Sequence, residues 1–388
     1  MDIPKFEELL KQIKMNFWLM GIPFDNPKIQ IRYYVLLLPL SLMLIEEIAF
    51  FGSRMSSENF LELTQLAPCI CIGVLSVLKI LALTVKRQKI YELTQNLECL
   101  HKIILNDTRK TELVRKNLVL IKFITKYFFV LNAVLIFVYN FSSPVIIAYN
   151  YIVSNEVQFV LPYAVLLPFK TDSWIPWLIV YVYSIFCGFT CVLYYATVDV
   201  LYCVLTSLVC NNFSLISFKL QKVNRNTAHL LKEVVKEQQY VLKLAEDLEN
   251  IFTAPNLFNV LIGSVEICAL GFNLMIGDLT QIPGCILFLS SVLLQILIMS
   301  VFGENLISES SRIAEAAFLC KWYEMDQKSK KTILTIMIRS HKPKKLTAYK
   351  FSVIGYGSFS KIISTSWSYF TILRTVYTPP GTKFQDDL

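Results

Sequence analysis

The chain has 388 residues, of which 55% are hydrophobic and 13% aromatic, and its mean hydropathy is +0.52. Its apolar residues gather in runs of membrane length, which excludes a soluble globular domain. A formal net charge of +8 does not point to nucleic acid. The basic residues sit on the connections of one side, as the positive-inside bias requires, so no nucleic-acid partner is expected.

Seven spans are expected, at about 33–51, 67–85, 127–148, 175–197, 257–276, 283–302 and a final segment at 346–377. The opening MDIPKFEELLKQIK is charged and carries no cleavable leader, so the first span is expected to be the insertion signal. The N-terminal segment and the second, fourth and sixth connections together hold 30 Lys and Arg residues, against 4 on the opposite side. That asymmetry puts the N-terminus in the cytoplasm and the C-terminus outside. The predicted fold class is an all-α polytopic membrane protein of seven transmembrane helices with extended cytoplasmic helices.

The first span ends in Glu46 and Glu47, close enough to the outer interface to be expected in water. Lys79, toward the cytoplasmic end of the second span, is expected to snorkel. In the connection at 86–126, Ile90, Leu93, Leu97, Leu100 and Ile104 recur at helical intervals and predict a surface or partner-facing helix. Three Asn-X-Ser/Thr patterns occur, at Asn106, Asn140 and Asn212. Only Asn140 faces outward, too near the bilayer for a glycan.

The outer connection at 149–174 is rich in proline and aromatics and predicts an ordered lid over the helix ends. The fourth span presents Trp177, Tyr181, Tyr183, Phe186, Thr190 and Tyr194. These can line an apolar pocket with a few polar groups or anchor the interface, and anchoring is the reading for Trp174 and Trp177. At 230–252 a stripe of Leu231, Val234, Val235, Val241, Leu242, Ala245, Leu248 and Phe252 should continue the bundle into the cytoplasm. Such a stripe needs a partner, which favours oligomerisation.

The fifth span carries Glu266 near mid-membrane, where a carboxylate must be neutral, hydrated or paired. The last segment carries many hydroxyls. Lys361, Thr365, Ser368, Ile372 and Thr375 or Val376 fall on one helical stripe. A polar stripe that turns apolar at its outer end has the form of a pore wall closed by a hydrophobic constriction. Close packing through small residues is the other reading of the same hydroxyls. Lys361 lies at a depth that should bring it to Glu266, directly or through water.

The ten cysteines lie mostly in or beside spans and act first as small apolar residues, with Cys69 and Cys285 near enough to the outside to pair. The three histidines, His101, His229 and His341, are scattered, and no catalytic, metal or phosphate-binding motif accompanies them. An enzyme, a metal and a cofactor are not expected. No duplicated half supports an inverted-repeat transporter. The orientation opposes a G-protein-coupled receptor, and no Asp-Arg-Tyr ends the third span.

The C-terminal quarter resembles the insect odorant receptor family, through ENLISESSRIAEAAFLCKWYEM (304–325), IRSHKPKKLTAYKF (338–351) and SWSYFTILRTVY (366–377), in that order. Upstream the likeness rests on span number, loop sizes and LPYAVLLPF in the outer connection. The resemblance implies a ligand-gated, non-selective cation channel built as a tetramer, in which a variable odorant-binding subunit joins a shared coreceptor in the plasma membrane of olfactory sensory neurons. The terminal SYFTILRTVY and the short second cytoplasmic connection resemble the variable subunit rather than the coreceptor. A gustatory receptor, which shares the topology, is the nearest alternative.

In that family the last helix lines the pore. Ile372 and Val376 match the gate positions, with Thr375 beside them and Ser368 and Thr365 deeper on the stripe. A small volatile odorant is expected in the outer half of each bundle, where depth and chemistry nominate Ile72, Phe137, Asn140, Phe141, Tyr183, Cys187, Thr190 and Phe272. The expected partners are the odorant coreceptor, the odorant, permeant cations and membrane lipid. The organisation that follows is a cytoplasmic segment at 1–32, six spans with the ligand region at 33–303 and a cytoplasmic anchor at 304–345. The pore helix at 346–377 and an outer tail at 378–388 complete it. Residues 230–252 and 332–338 would join the anchor, with Trp322 and Tyr323 supporting its packing.

Overall fold

A computed structural model describes residues 4–24, 28–55, 60–155, 157–276 and 282–376, so the proposed outer tail lies outside the described residues. The described residues are 85% helical. A short amphipathic helix, α1 (Phe6–Leu19), leads into α2 (Ile31–Ser53), α3 (Phe60–Leu105), α4 (Thr108–Ser154), α5 (Trp174–Gln221), α6 (Leu231–Ile276) and α7 (Ile282–Leu319). These six, α2 to α7, are long and apolar enough to cross a membrane. A short helix, α8 (Gln327–Ser340), and a small hairpin then precede α9 (Tyr356–Val376). With 21 residues, α9 is about 32 Å long and completes the seven spans by length.

Helices α3 to α6 run 46 to 48 residues. At about 70 Å they are more than twice as long as a hydrocarbon core is thick, so each leaves the membrane unbroken. The connection at 86–126 is accordingly no separate helix. It is the end of α3 and the start of α4, split where Asp107 caps α4 by accepting the backbone N–H of Arg109 and Lys110.

At the centre stands α5. Every residue from Tyr194 to Phe213 is buried, and α1, α2, α3, α4, α6 and α7 all pack on it. A helix apolar on all sides has nowhere else to go. The stripes of α3 and α6 are likewise consumed inside the chain: Ile90, Leu93, Leu97 and Ile104 join Leu231, Val234, Val241, Ala245, Leu248 and Phe252 in one core. This corrects two expectations. The α3 stripe faces its own chain, and the α6 stripe finds its partner in α3, so it carries no argument for oligomerisation.

The last span begins later than its hydrophobic run. Thr347–Ala348 (β1) pairs antiparallel with Ser352–Val353 (β2) around Tyr349 and Lys350, whose φ of 47° and 64° make the left-handed hairpin turn. The following residue, Ile354, lays its carbonyl against Gly303 of α7, where a Cβ would stand 2.3 Å from the oxygen. Only glycine permits that approach.

The outer connection is an ordered lid. Trp177 donates its indole N–H to the Val160 carbonyl at 2.9 Å, Ser143 donates to the same oxygen, and the Leu166 amide donates to the Glu46 carbonyl at 3.2 Å. Trp177 is buried, stacked on Tyr181 at 4.8 Å, so the lid claims it and it is no interfacial anchor, whereas Trp174 is exposed. All ten cysteines are free, Cys69 and Cys285 included.

Candidate functional site

Beneath the lid the outer ends of the helices leave a cavity of about 50 Å³. Leu40, Met43, Leu44 and Glu47 of α2 form one wall, and Cys69, Ile72 and Gly73 of α3 another. From α4 come Leu135, Ile136 and Tyr139, from α5 Cys187, Gly188, Cys191 and Val192, and from α7 Phe288. Tyr163 closes the space from the lid. Its hydroxyl lies where a side chain on α5 would stand, 2.5 Å from a Cβ built on Gly188, so this glycine is what lets the lid descend.

Of the nominated pocket residues, Ile72 and Cys187 are in the wall. Asn140 is fully buried beside it, its amide without a hydrogen-bond partner among the described residues and its carbonyl accepting from the Tyr181 hydroxyl at 3.2 Å. The Tyr183 hydroxyl is committed to the Pro39 carbonyl at 3.0 Å, and Thr190 is bonded back to Phe186 at 2.8 Å. Phe272 is buried on α6 away from the wall. Phe137 and Phe141 stack on each other at 4.3 Å on the exposed face of α4, opposite the cavity.

Sequence reasoning missed Glu47, Tyr139 and Tyr163. For α4 a signal existed: Asn132, Ile136, Tyr139 or Asn140, and Ser143 recur every three or four residues, a polar stripe that must face protein. Glu47 is a correction, since it is 5% exposed and buried in the cavity wall, not solvated. Its neighbour Glu46 keeps part of its surface.

Two turns below Ile72, about 10 Å deeper, lies a buried polar cluster. Lys79 of α3 is fully buried and donates to both carboxylate oxygens of Asp199 on α5, each at 2.9 Å, over the ring of Tyr195. Snorkelling is thereby corrected: the ammonium has an internal counter-ion and no path to solvent. Gln295 of α7 donates to Asp199 at 2.8 Å and to Asn259 of α6 at 3.1 Å, and accepts from the Tyr195 hydroxyl at 2.5 Å. One connected network therefore ties α3, α5, α6 and α7 directly beneath the cavity.

Glu266 is fully buried near this cluster, with Lys79 in electrostatic reach and neither oxygen hydrogen-bonded among the described residues. It forms no direct pair with Lys361, which is exposed on α9. The cause is helical phase. α6 turns the Ser264 carbonyl toward α9, where Ser366 donates to it at 3.1 Å, and Glu266, two residues on, points some 200° away.

On α9, Ser358, Ile362 and Ser366 form the buried seam against α6 and α7. The opposite side is open: Lys361, Ser368, Ile372 and Thr375 are exposed and Thr365 half-buried. The hydroxyls are parked on the helix itself, Ser368 on Ser364 and Thr375 on Ile372 at 3.0 and 2.8 Å. Val376 ends the helix, and its side chain lies outside the described residues.

The family model described as "7tm Odorant receptor" matches residues 59–367. A Drosophila melanogaster protein named putative odorant receptor 92a is 27% identical over 362 residues, covering 89% of this chain and 88% of that one. Putative odorant receptor 85d of the same fly is 24% identical over 348 residues, covering 87% and 84%. Among solved structures, insect olfactory receptor OR5 from Machilis hrabei in complex with eugenol superposes with a TM-score of 0.80 at 14% identity, covering 96% of this chain and 100% of that one, a likeness of fold. Fold, family match and relatives agree, and the chain belongs to the insect seven-transmembrane odorant receptor family.

Proposed function

We propose that the chain is the odorant-tuning subunit of a ligand-gated, non-selective cation channel, assembling with a shared coreceptor into a heterotetramer in the plasma membrane of olfactory sensory neurons. Family membership makes it a multi-pass membrane odorant receptor and not an enzyme. The observation that carries the channel reading is α9, a membrane helix sealed to its own chain along one seam and polar and open on the other. Lipid is a poor neighbour for Lys361, Thr365, Ser368 and Thr375, whereas a water-filled axis shared by several subunits suits them. Ile372 and Val376 would then close the outer mouth as a dewetting constriction, with Thr375 between them.

The outer cavity is the ligand site in this reading, supported by its apolar wall and by the eugenol complex of a receptor of the same fold. Opening follows from differential affinity: an odorant that binds better when the pore is wide shifts the population toward open. The polar cluster from Lys79 to Asn259 offers a route from the cavity walls to α6 and α7, on which α9 rests. On the cytoplasmic side Phe318, Leu319, Trp322, Tyr323, Leu334 and Ile338 are exposed, an apolar surface suited to joining subunits in the anchor at 304–345.

Whole-cell recording from cells expressing this chain, the coreceptor, or both tests the reading. Volatile-evoked cation current is expected only from the combination, persisting under G-protein blockade and altered in conductance by Ile372→Ala. Current abolished by that blockade contradicts it.

A further inference from the structure

The polar cluster beneath the cavity brings two buried acids to one buried base. Lys79 serves Asp199, and Glu266 is left over: it is fully buried, and neither of its oxygens has a hydrogen-bond partner among the described residues. Burying a carboxyl group that nothing answers is costly, so this arrangement of the bundle carries a cost that a second arrangement can relieve.

The packing names the group that relieves it. α3 and α6 run antiparallel, tied at one end by Asn273 donating to the Thr64 carbonyl at 2.8 Å and at the other by Lys86 donating to Asn250 at 3.0 Å. Glu266 stands two turns, about 10 Å, from Asn259 of the cluster on the same face of α6. Cα–Cβ bonds tilt toward the N-terminus of their own helix, so on these antiparallel helices Lys79 leans toward the cavity end and Glu266 leans back toward Lys79. Tyr195 neighbours both: the Lys79 ammonium sits 4.4 Å from its ring centroid, and Glu266 is within electrostatic reach of it. Among the described residues Lys79 is the one cation in reach of Glu266. Its ammonium is carried on a flexible stem and can turn. Asp199 is not stranded when it does, because Gln295 still donates to it at 2.8 Å.

We infer that Glu266 is a second counter-ion for Lys79, so that the bundle has two charge arrangements, one with the ammonium on Asp199 of α5 and one with it on Glu266 of α6. The consequence falls on α9. Glu266 is two residues from Ser264, whose carbonyl holds Ser366 of α9, so the exchange moves charge from the central helix to the helix that carries α9. Assigning the α6-bound arrangement to the open pore rests on the channel reading above.

Thermal unfolding of the fluorescently tagged chain, solubilised in assembly with the coreceptor, tests the inference. Glu266→Gln alone is expected to shift the melting temperature by no more than about 2 °C. Asp199→Asn should lower it less than Lys79→Ala does, because Glu266 takes the ammonium. Adding Glu266→Gln to Asp199→Asn strands Lys79 and should lower it by at least about 5 °C more. The inference is overturned if Asp199→Asn loses as much as Lys79→Ala, or if Glu266→Gln costs no more in the Asp199→Asn background than in the wild type. Unstimulated cation current per surface receptor is read from the same variants. Asp199→Asn commits Lys79 to Glu266 and should raise that current at least about threefold, and an unchanged or smaller current overturns the assignment to the open pore. Thermal coupling in an assembly that passes no current with any variant keeps the second counter-ion and contradicts the channel, whereas current without thermal coupling does the reverse.

Discussion

Helices α5 and α9 both cross the membrane, and they treat it in opposite ways. α5 is buried on every side for twenty consecutive residues, Tyr194 to Phe213, and even its charge, Asp199, is neutralised by Lys79 from its own chain. α9 packs along Ser358, Ile362 and Ser366, with Phe359 and Phe370 beside that seam, and leaves Lys361, Ser368, Ile372 and Thr375 exposed on the other side. The difference separates what the chain completes by itself from what it leaves for an assembly. α5 holds the bundle together, and α9 is where the bundle is unfinished.

The largest expected effect breaks the α5 side of this comparison. Lys79→Ala leaves Asp199 buried and unpaired, which should cost about 3–5 kcal/mol and appear as loss of surface expression and a lower melting temperature. Replacing both partners, Lys79→Met with Asp199→Leu, should recover most of that stability, because it removes both charges together. A smaller effect is expected at the lid. Gly188→Ala puts a methyl 2.5 Å from the Tyr163 hydroxyl, so that side chain must shift, at a cost of about 1–3 kcal/mol. Ligand sensitivity measured by current should fall with little change in expression. On the α9 side, Ile372→Ala, at an exposed position, should change stability by no more than about 0.5 kcal/mol while altering conductance. A large loss of expression from Ile372→Ala, or none from Lys79→Ala, would reverse the roles assigned to the two helices.

Much of this was legible in the residues. Run length gave the long apolar helices, and the motifs between 304 and 377 pointed to the family later shown by the match over 59–367. What stayed illegible was pairing between distant residues. Lys79 and Asp199 are 120 positions apart, and nothing local marks them as partners, so an end-of-span rule for lysine gave the wrong outcome. The α6 stripe read correctly as a buried face, but periodicity does not say whose surface covers it, and α3 supplied it. Helical phase explains the remaining differences. Glu266 and Lys361 have compatible depths and incompatible directions, and Phe137 and Phe141 sit at pocket depth on the wrong side of α4. Glu47 was misread because proximity to an interface says nothing about a lid folded over it.

The most direct test of the α9 account is thiol accessibility of its open face in the assembled receptor. Thr365→Cys, Ser368→Cys and Ile372→Cys, each co-expressed with the coreceptor, would be exposed to a membrane-impermeant thiol reagent during odorant-evoked current, beside Ile362→Cys on the packed seam. The account predicts progressive current block at 365, 368 and 372 and none at 362. Block confined to 362, or current indifferent to the reagent at all three open-face positions, would contradict a pore lined by this helix.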